Sequence, residues 1–405
     1  MSIIFIDQTS QYDHHQVFNA AMVEILMETF QSDNMICYGI RSSQASMYNI
    51  MAEAKRDEVD FISIKYPRTP KSLFLKAFVF PLKEGKRFIN FKKIFKKYNK
   101  PKDIILLSIT TYTSFYLFRW LASKSKAKIL CVLHGDMDYL YKAEGRYQKM
   151  NAFIHRKILG FKEQSNFKYI VLNKITKPIL LKDKLLLEKE IVDVLHPIVS
   201  EYDENPSLDF KTSINLGHIG SMELRRKNSH FLYRLAKSMK DIENVNFFTI
   251  GLITPDIIRH KNNFVTEICG NKSENEPFYL PRKDYVDHLL NLDYILFFYP
   301  KDEYVLRASG AVSDFINFLK PVIALRHPVF EFFQTTYGSI GYICDTLQDI
   351  EVLILDMVKN PKRYQEQRKH QIENIKKIKT DSSALELSKE LSNTLSKKGW
   401  QDLFE

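Results

Sequence analysis

The feature that most constrains this fold is the regular alternation of short apolar runs with helical patterns. The first run, SIIFI (2–6), is followed by QVFNAAMVEILMETF (16–30), which has the pattern of a helix. Runs that are apolar at nearly every position are typical of parallel strands covered on both faces. Strands that alternate with helices predict βαβ units. Further strand candidates are MICYGI (35–40), DFISI (60–64), DIILLSI (103–109), KILCVLH (128–134) and KYIVL (168–172).

The alternation restarts after a polar, proline-bearing stretch, SEYDENPSLDFKTS (200–213). The sequence therefore predicts an α/β protein with two Rossmann-like doubly wound parallel-sheet domains, at 1–200 and 201–360, and a charged helical tail at 361–405. Predicted strands of the second domain are INLGHIG (214–220), VNFFTIG (245–251), NFVTEIC (263–269), DYILFFY (293–299), PVIALR (321–326) and SIGYIC (339–344); predicted helices are 227–240, 283–291 and 310–319.

Length and composition agree with two cores. The chain has 405 residues, of which 45% are hydrophobic, and this suits two domains of about 200 residues each. The four cysteines form no CxxC or Cys/His cluster, so we expect neither a structural zinc site nor a disulfide scaffold. Free cysteines, a start that turns polar after six residues and no apolar run near ~20 residues together indicate a cytoplasmic protein.

Ligands of open α/β sheets bind at the carboxyl ends of the strands, so we expect a site in a cleft between the two domains. Gly220 and Ser221 follow a predicted strand, and Lys227 with its neighbours Arg225 and Arg226 brings cations to the same place. Glycine permits a turn without a Cβ clash, and helix amides and lysine favour phosphate. An ordinary turn before a solvated helix is the alternative.

A second candidate loop, YPKDEYVLRASG, leads into the helix AVSDFINFLK. Ser309 is a good N-cap residue, and Gly310 permits a close approach to the exposed amides at the helix start. Asp314 lies one turn inside that helix. The sequence therefore predicts a second anion-binding loop, although a plain capped helix would explain the same residues.

Residues 214–346 resemble the donor-binding domain of GT-B glycosyltransferases that assemble bacterial surface polysaccharides, such as capsule, lipopolysaccharide or exopolysaccharide. The first domain resembles that family more loosely, at DHHQVFN, LHGDMD and IVLNKITKPI…VDVLHPI. The stretches that carry the resemblance in the second domain are INLGHIGSMELRRKN, VNFFTIG, LPRKDYVDHLLNLDYILFFYP, YVLRASGAVSDFINFLKPVIA and the SIGYIC strand.

The resemblance implies a hexosyltransferase that uses a UDP-, GDP- or dTDP-sugar as donor and needs no metal or other cofactor. It assigns Asp314 to the ribose hydroxyls, and it places Leu280 and Pro281 beside the base. The residues assigned to the donor diphosphate are Gly220, Ser221, Lys227, Ser309 and Gly310. Many retaining members carry two Glu in this region, and here the two positions hold Leu306 and Asp314. Retention or inversion at the anomeric carbon therefore stays open.

Candidate catalytic groups follow a strand of the first domain, in LHGDMD. Asp136 would be the general base of an inverting enzyme, and His134 would contact the donor sugar in a retaining one. A helix-capping Asp and a buried His are the alternatives. The DxD formed with Asp138 lies in the wrong domain for a donor metal. After the first strand, Asp13 and the predicted acceptor-binding residues form a polar cluster; those residues are His14, His15 and Asn19.

The segment expected to face the membrane is 72–102, where apolar residues 72–82 precede a strongly basic part, 83–102, with nine cations against Glu84. Drawn as a helix, KRFINFKKIFKKY (86–98) places Phe88, Phe91 and Phe95 on one face. A basic helix with an aromatic face binds anionic membranes. We therefore expect peripheral binding to the inner face of the cell membrane and a lipid-linked or other saccharide acceptor; packing of the aromatic face into the core is the alternative. The residues expected to face the membrane are Arg87, Lys92, Lys93, Lys96 and Lys97.

Other functions fit parts of the same sequence. A nucleotide-sugar epimerase on this fold would bind the donor alone. A basic nucleic-acid-binding or membrane-binding protein without catalysis would use the lysines, but no helix-turn-helix, zinc or RNA-binding signature accompanies them, so no nucleic-acid partner is expected. A catalytically inactive relative that acts as a scaffold is the third alternative, because the two glutamates are absent.

Overall fold

A computed structural model describes residues 1–10, 15–32, 35–67, 72–133, 136–199, 213–271 and 280–404. The chain divides into two units. Unit 1 consists of Met1–Val199, Leu306–Ala308 and Asp381–Glu405, and unit 2 of Ser200–Val305 and Ser309–Thr380.

Unit 1 follows the predicted alternation of strands and helices. Its helices include α4, which runs through Pro81 without ending. In chain order the elements are β1 (Ile3–Asp7), α1 (Gln16–Phe30), β2 (Met35–Gly39), α2 (Arg41–Ile50), α3 (Glu53–Arg56), β3 (Val59–Ser63), α4 (Leu73–Lys97), β4 (Ile104–Ile109), α5 (Tyr112–Ala122), β5 (Lys128–Val132), a 3-10 helix (Asp136–Leu140), α6 (Gly145–Leu159), β6 (Phe167–Val171), α7 (Thr176–Lys182) and β7 (Ile191–Asp193).

The seven strands of unit 1 form one parallel sheet in the order β3-β2-β1-β4-β5-β6-β7. All five residues of β1 are buried, as expected for a strand covered by helices on both faces. The first strand is central, and Ile3 pairs with Met35 on one side and Ile104 on the other. The carboxyl end of β1 therefore lies where the strand order reverses, which is the usual ligand-binding position.

Unit 2 repeats this architecture with fewer strands. In chain order the elements are β8 (Ile214–Met222), α8 (Leu224–Lys227), α9 (His230–Ser238), β9 (Val245–Ile253), β10 (Val265–Asn271), α10 (Arg282–Leu290), β11 (Tyr294–Phe297), α11 (Gly310–Asn317), β12 (Val322–Leu325), α12 (Pro328–Tyr337), β13 (Gly341–Cys344), α13 (Leu347–Lys359) and α14 (Pro361–Asp381). Its parallel sheet has the order β10-β9-β8-β11-β12-β13, so β8 holds the same central place as β1.

The C-terminal helices are shared between the units. In α14, Arg368 pairs with Asp293 at 3.3 Å, and α14 belongs to unit 2 as far as Thr380. The next helix, α15 (Ala384–Leu395), packs on α1 and belongs to unit 1. Beyond it, the indole of the fully buried Trp400 donates to the Ser165 carbonyl at 2.7 Å. The segment predicted as one tail is thus divided between the two units.

The predicted fold class, two Rossmann-like parallel-sheet domains with helical C-terminal residues, is confirmed. The sequence missed β7, which has only three residues and so gives no periodicity. It also ended β8 two residues early, because Gly220 and Ser221 resemble a loop. In the structure they continue the strand and pair with Gly251 and Leu252. Within the described ranges, no helix combines the length and the apolar character that crossing a membrane requires.

Candidate functional site

The end of β8 is shaped by Gly220, which has φ +87°, a conformation that side chains rarely allow. A Cβ placed on Gly220 would lie 3.0 Å from Lys227 Nζ and 3.8 Å from Ala311 Cβ. The lysine ammonium and the first turn of α11 therefore border the same point of β8. The two anion loops predicted from sequence come together inside unit 2. We call the group Gly220, Lys227, Ser309, Gly310 and Ala311 the Lys227 site.

Lys227 is held in this place by the turn between α8 and α9. Asn228 ends α8 in the left-handed conformation, with φ 48°, and its side-chain amide donates to the Phe298 carbonyl at 3.0 Å. That bond anchors α8 to the chain just after β11. The Lys227 side chain is only 6% exposed, so its charge acts in an environment of low dielectric, where an anion would be bound strongly.

His218, on β8, lies beneath this lysine and is held neutral. Its Nδ1 donates to the Leu296 carbonyl at 2.8 Å, so Nε2 accepts from the Ser229 hydroxyl at 2.9 Å. The Ser229 oxygen in turn accepts from the Glu223 amide at 3.0 Å. Burial, followed by the charge of Lys227, lowers the pKa of His218 to about 3. His218 therefore adds no second positive charge and supports the backbone around Lys227.

The start of α11 leaves backbone donors unused. Ser309 occupies the N-cap position as predicted, but its hydroxyl pairs with the Tyr299 hydroxyl at 2.8 Å and does not cap the helix. The amides of Gly310 and Ala311 find no acceptor within the described part of the chain. No atom lies within 4 Å of a Cβ built on Gly310. Two amides at the positive end of a helix therefore border open space.

Asp314, predicted to hold the ribose, is occupied by protein groups. Its Oδ1 accepts from Arg282 at 3.1 Å and its Oδ2 from the Tyr285 hydroxyl at 2.7 Å, so the carboxylate joins α10 to α11. Burial, followed by the Asp314 charge, raises the pKa of Tyr285 far above its usual range. Nearby, Leu280 is half-buried and Pro281 is exposed at the N-cap of α10.

The predicted catalytic and acceptor residues of unit 1 fall partly outside the described residues. His14 and His134 lie there, as does the side chain of Asp136, whose backbone begins the 3-10 helix. His15 is half-buried at the start of α1 with φ 59°. Asn19 is 1% exposed and bridges buried polar groups on two strands, so the prediction that it faces an acceptor is wrong for this structure.

The basic helix α4 corrects part of the membrane prediction. Arg87 is 8% exposed, pairs with the buried Glu84, and lies 5.1 Å from the ring centre of Tyr66, so it does not face outward. Phe91 and Phe95 are buried in the unit 1 core, because they occupy the face of α4 turned toward the sheet. The lysines of the prediction are exposed: Lys92, Lys93, Lys96 and Lys97.

Sequence reasoning missed the role of Asp138 and of Leu306–Ala308, a segment that belongs to unit 1. The Asp138 carboxylate accepts from the Leu306 amide at 3.1 Å and pairs with Arg307 at 2.9 Å, and both charged side chains are 9% exposed. Leu306, at the first of the two glutamate positions, is buried in the unit 1 core. The segment continues directly into Ser309, the N-cap residue of α11. No local pattern signals a pairing 168 residues apart.

In the ranges that the structure describes, no three His, Cys, Asp or Glu side chains come together as ligands. The four cysteines are free thiols, and Cys269 is the one that is only half-buried.

No protein-family model matches the chain, and no curated protein sequence matches it either. Solved structures with the same fold include HepE of Anabaena in complex with UDP (12% identity, TM-score 0.62, 98% of this chain and 100% of that one). Sucrose-phosphate synthase of Thermosynechococcus elongatus is similar, with 12% identity and a TM-score of 0.62 over 100% of this chain and 99% of that one. The lipopolysaccharide outer core galactosyltransferase WaaB in its apo form has 12% identity and a TM-score of 0.57 over 98% of this chain and 100% of that one. At such identities the likeness establishes the GT-B fold of the chain.

Proposed function

We propose that this chain is a glycosyltransferase that moves a hexose from a nucleoside-diphosphate sugar to a saccharide acceptor. The observation that carries the proposal is the Lys227 site, where a buried ammonium and the amides at the start of α11 meet beside Gly220. The similarity of fold to glycosyltransferase structures, one of them with UDP bound, supports it.

The physical reason lies in the charge of the leaving group. Transfer of the sugar leaves a nucleoside diphosphate, and negative charge grows on its phosphate oxygens as the glycosidic bond breaks. A preorganised cation and helix amides stabilise that charge without reorganising during the reaction. The open space before Gly310 gives a phosphate direct access to the amides.

The remaining donor contacts follow from the places of the predicted residues. Ser309 and Gly310 would bind the diphosphate through their amides, and Gly220 and Ser221 would approach it through the backbone of β8. Asp314 would accept from the ribose hydroxyls with the lone pairs that Arg282 and Tyr285 leave unused. Leu280 and Pro281 would flank the base. In this scheme Lys227 and the amides, rather than a metal ion, stabilise the negative charge of the diphosphate.

We assign the acceptor step to unit 1. Asp136 would act as general base if the enzyme inverts, and His134 would contact the donor sugar if it retains. The acceptor would be a lipid-linked saccharide of a surface polysaccharide such as capsule or lipopolysaccharide. Such a substrate would hold the protein at the cytoplasmic face of the cell membrane, near anionic headgroups.

A panel of nucleotides tests the donor. Purified protein is mixed with UDP, GDP and dTDP and their common hexose conjugates, and the melting temperature is followed, because a ligand of the folded state raises it. We expect one nucleotide family to raise it, UDP being the first to try. No rise with any nucleotide would contradict the proposal, and turnover of a sugar nucleotide without acceptor would identify an epimerase instead.

Lys227→Met tests the site itself. It keeps the buried aliphatic stem and removes the charge, and a charge-assisted bond is worth about 1.5–3 kcal/mol. We expect the nucleotide Kd to rise about 10-fold to 100-fold. Lys237→Met, at an exposed position of α9, is the matched control and should leave the Kd unchanged. Equal Kd values in the two variants would place the diphosphate elsewhere.

A further inference from the structure

The outer surface of unit 1 exposes large apolar side chains on three neighbouring helices. On α5, Tyr116 and Trp120 are 40% and 39% exposed, and on α4, Leu82 is 64% exposed. Among the side chains that the structure describes on these helices, the exposed large apolar ones are Phe78, Phe80, Leu82, Ile89, Tyr116, Trp120, Tyr147, Met150 and Phe153. Single exposed apolar residues are common, but a group on adjacent elements marks an interaction surface.

The three helices lie on one face of the sheet. Right-handed crossovers that run in one direction along a sheet place their helices on the same face. The connections β3 to β4, β4 to β5 and β5 to β6 all run the same way through the strand order, whereas β1 to β2 runs the opposite way. Helix α4 packs on α5 and α5 on α6, while α15 packs on α1 behind the sheet. The helices α4, α5 and α6 form one layer, which we call the α4–α6 face.

Positive charge is mixed with these apolar groups, and negative charge is almost missing. Among the described side chains of these helices, the only acid, Glu84, is buried with Arg87, and Arg119 is buried as well. The exposed cations are Lys86, Lys92, Lys93, Lys96 and Lys97 on α4 and Arg146, Lys149, Arg156 and Lys157 on α6. Lys124, just after α5, places its Nζ 3.7 Å from the Trp120 ring centre, and Lys157 lies 5.5 Å from that of Phe153. Exposed lysine and aromatic side chains thus stand side by side.

We infer that the α4–α6 face is a docking surface for an anionic lipid bilayer. Trp and Tyr favour the headgroup region, where the ring is buried and its polar edge stays wet, and lysines beside them meet lipid phosphates. Exposed aliphatic and aromatic groups without neighbouring acids suit a lipid surface better than nucleic acid, whose binding needs no Leu82 or Phe153. The contacting groups are the outward side chains of all three helices, since the aromatic face of α4 itself is buried in the core.

The chain contains its own probe for this docking. It has two tryptophans, of which Trp400 is fully buried and Trp120 lies on the α4–α6 face. The wild-type protein is mixed with phosphatidylcholine vesicles that contain or lack about one third phosphatidylglycerol. We expect a blue shift of emission and quenching by bromine-labelled acyl chains with the anionic vesicles, both lost in Trp120→Phe. Flotation with unchanged Trp120 emission would overturn the inference, because another face would then carry the binding.

A matched pair of charge variants completes the test. Lys92→Gln with Lys96→Gln removes two exposed cations from α4, and Lys389→Gln with Lys397→Gln removes two exposed cations at the opposite face. Each lysine near an anionic surface is worth a factor of about five, so the first variant should partition about 25-fold more weakly and the second equally to wild type. An equal loss of vesicle binding in the two variants would contradict the docking surface. Wild-type protein that binds neutral vesicles as well as anionic ones would contradict it too. Nucleotide binding by the same variants reports separately on the proposed donor site.

Discussion

The carboxyl ends of β1 and β8 occupy the same place in two sheets of the same topology, yet they end in opposite ways. After β1, the Asp7 carboxylate accepts from the amides of Thr9 and Ser10 at 3.0 Å each and from the Asn19 side chain at 2.6 Å. Near the end of β8, Gly220 has no side chain, and the Lys227 ammonium lies beside it.

This difference shows how one topology gives a closed and an open strand end. In unit 1 the protein supplies its own anion, the Asp7 carboxylate. Asn19, which donates to that carboxylate, accepts in turn from the Ser108 hydroxyl at 2.7 Å. In unit 2 a buried cation and the amides at a helix start occupy the corresponding region, a combination that favours binding of an anion. The first end stabilises the fold, and the second is the place where we propose that the donor diphosphate binds.

The largest expected effect is the loss of stability of both units in acid. Burial lowers the pKa of His155 and of His196 in unit 1 to about 4, and that of His218 in unit 2 to about 3. Because folding holds these rings neutral, the unfolded chain binds more protons below its own pKa of about 6.5, so stability falls as pH falls from there toward the folded pKa. Each histidine contributes about 1.4 kcal/mol per pH unit.

Between pH 6.5 and 5.0 we therefore expect the two histidines of unit 1 to cost about 3 kcal/mol of stability. Unit 2 should lose stability over the same range, because burial also lowers the pKa of His230 and of His327 there. Urea unfolding followed by tryptophan emission reports on unit 1, since Trp120 and Trp400 both belong to it, and hydrogen exchange of β8 and β11 reports on unit 2. His155→Leu should halve the pH dependence of the free energy of unfolding of unit 1. A stability that rises on acidification would contradict the neutral assignment of these histidines.

The next largest effect should come from Asp7→Ala. It leaves the Thr9 and Ser10 amides and the Asn19 side chain without their acceptor, which costs about 3 kcal/mol in a buried site. The tryptophan-detected urea midpoint should fall, while the nucleotide Kd should stay within twofold. A loss of nucleotide binding at unchanged stability would make Asp7 a ligand-binding residue and would remove the contrast between the strand ends.

A smaller effect is expected from Ser309→Ala, because the Ser309 hydroxyl pairs with Tyr299 and its amide remains after the change. Losing one buried hydrogen bond costs about 1 kcal/mol of stability. The nucleotide Kd should change far less than in Lys227→Met. A loss of binding as large as that of Lys227→Met would show that the hydroxyl itself binds the phosphate.

The sequence predicted those features that depend on local patterns. Of the thirteen strands that the described residues form, apolar runs located twelve, since buried parallel strands are apolar at nearly every position. Glycine and lysine near 220–227 and Ser309–Gly310 marked the two halves of the Lys227 site. Their meeting could not be derived, because it depends on the left-handed Asn228 and on the packing of α11 beside β8.

Distant pairings also stayed hidden from the sequence. Arg87 has the same charge as its exposed lysine neighbours, and only the position of Glu84, Thr111 and Ser114 shows that it is buried in a polar network. Asn19 and Asp138 similarly resemble surface polar residues until the strands and the Leu306–Ala308 segment are placed. Burial of a polar group depends on partners far along the chain, so local composition does not reveal it.

The most direct test of the open strand end is the nucleotide affinity of Gly310→Ala. The added methyl meets no protein atom within 4 Å, and alanine suits the helix better than glycine, so the fold should be kept or slightly stabilised. Gly85→Ala on α4 is the matched control, because a Cβ there also meets nothing within 4 Å. By titration calorimetry with the nucleoside diphosphate, we expect Gly310→Ala to bind at least tenfold more weakly and Gly85→Ala to bind as wild type does. Equal affinity in all three proteins would contradict a diphosphate at the start of α11.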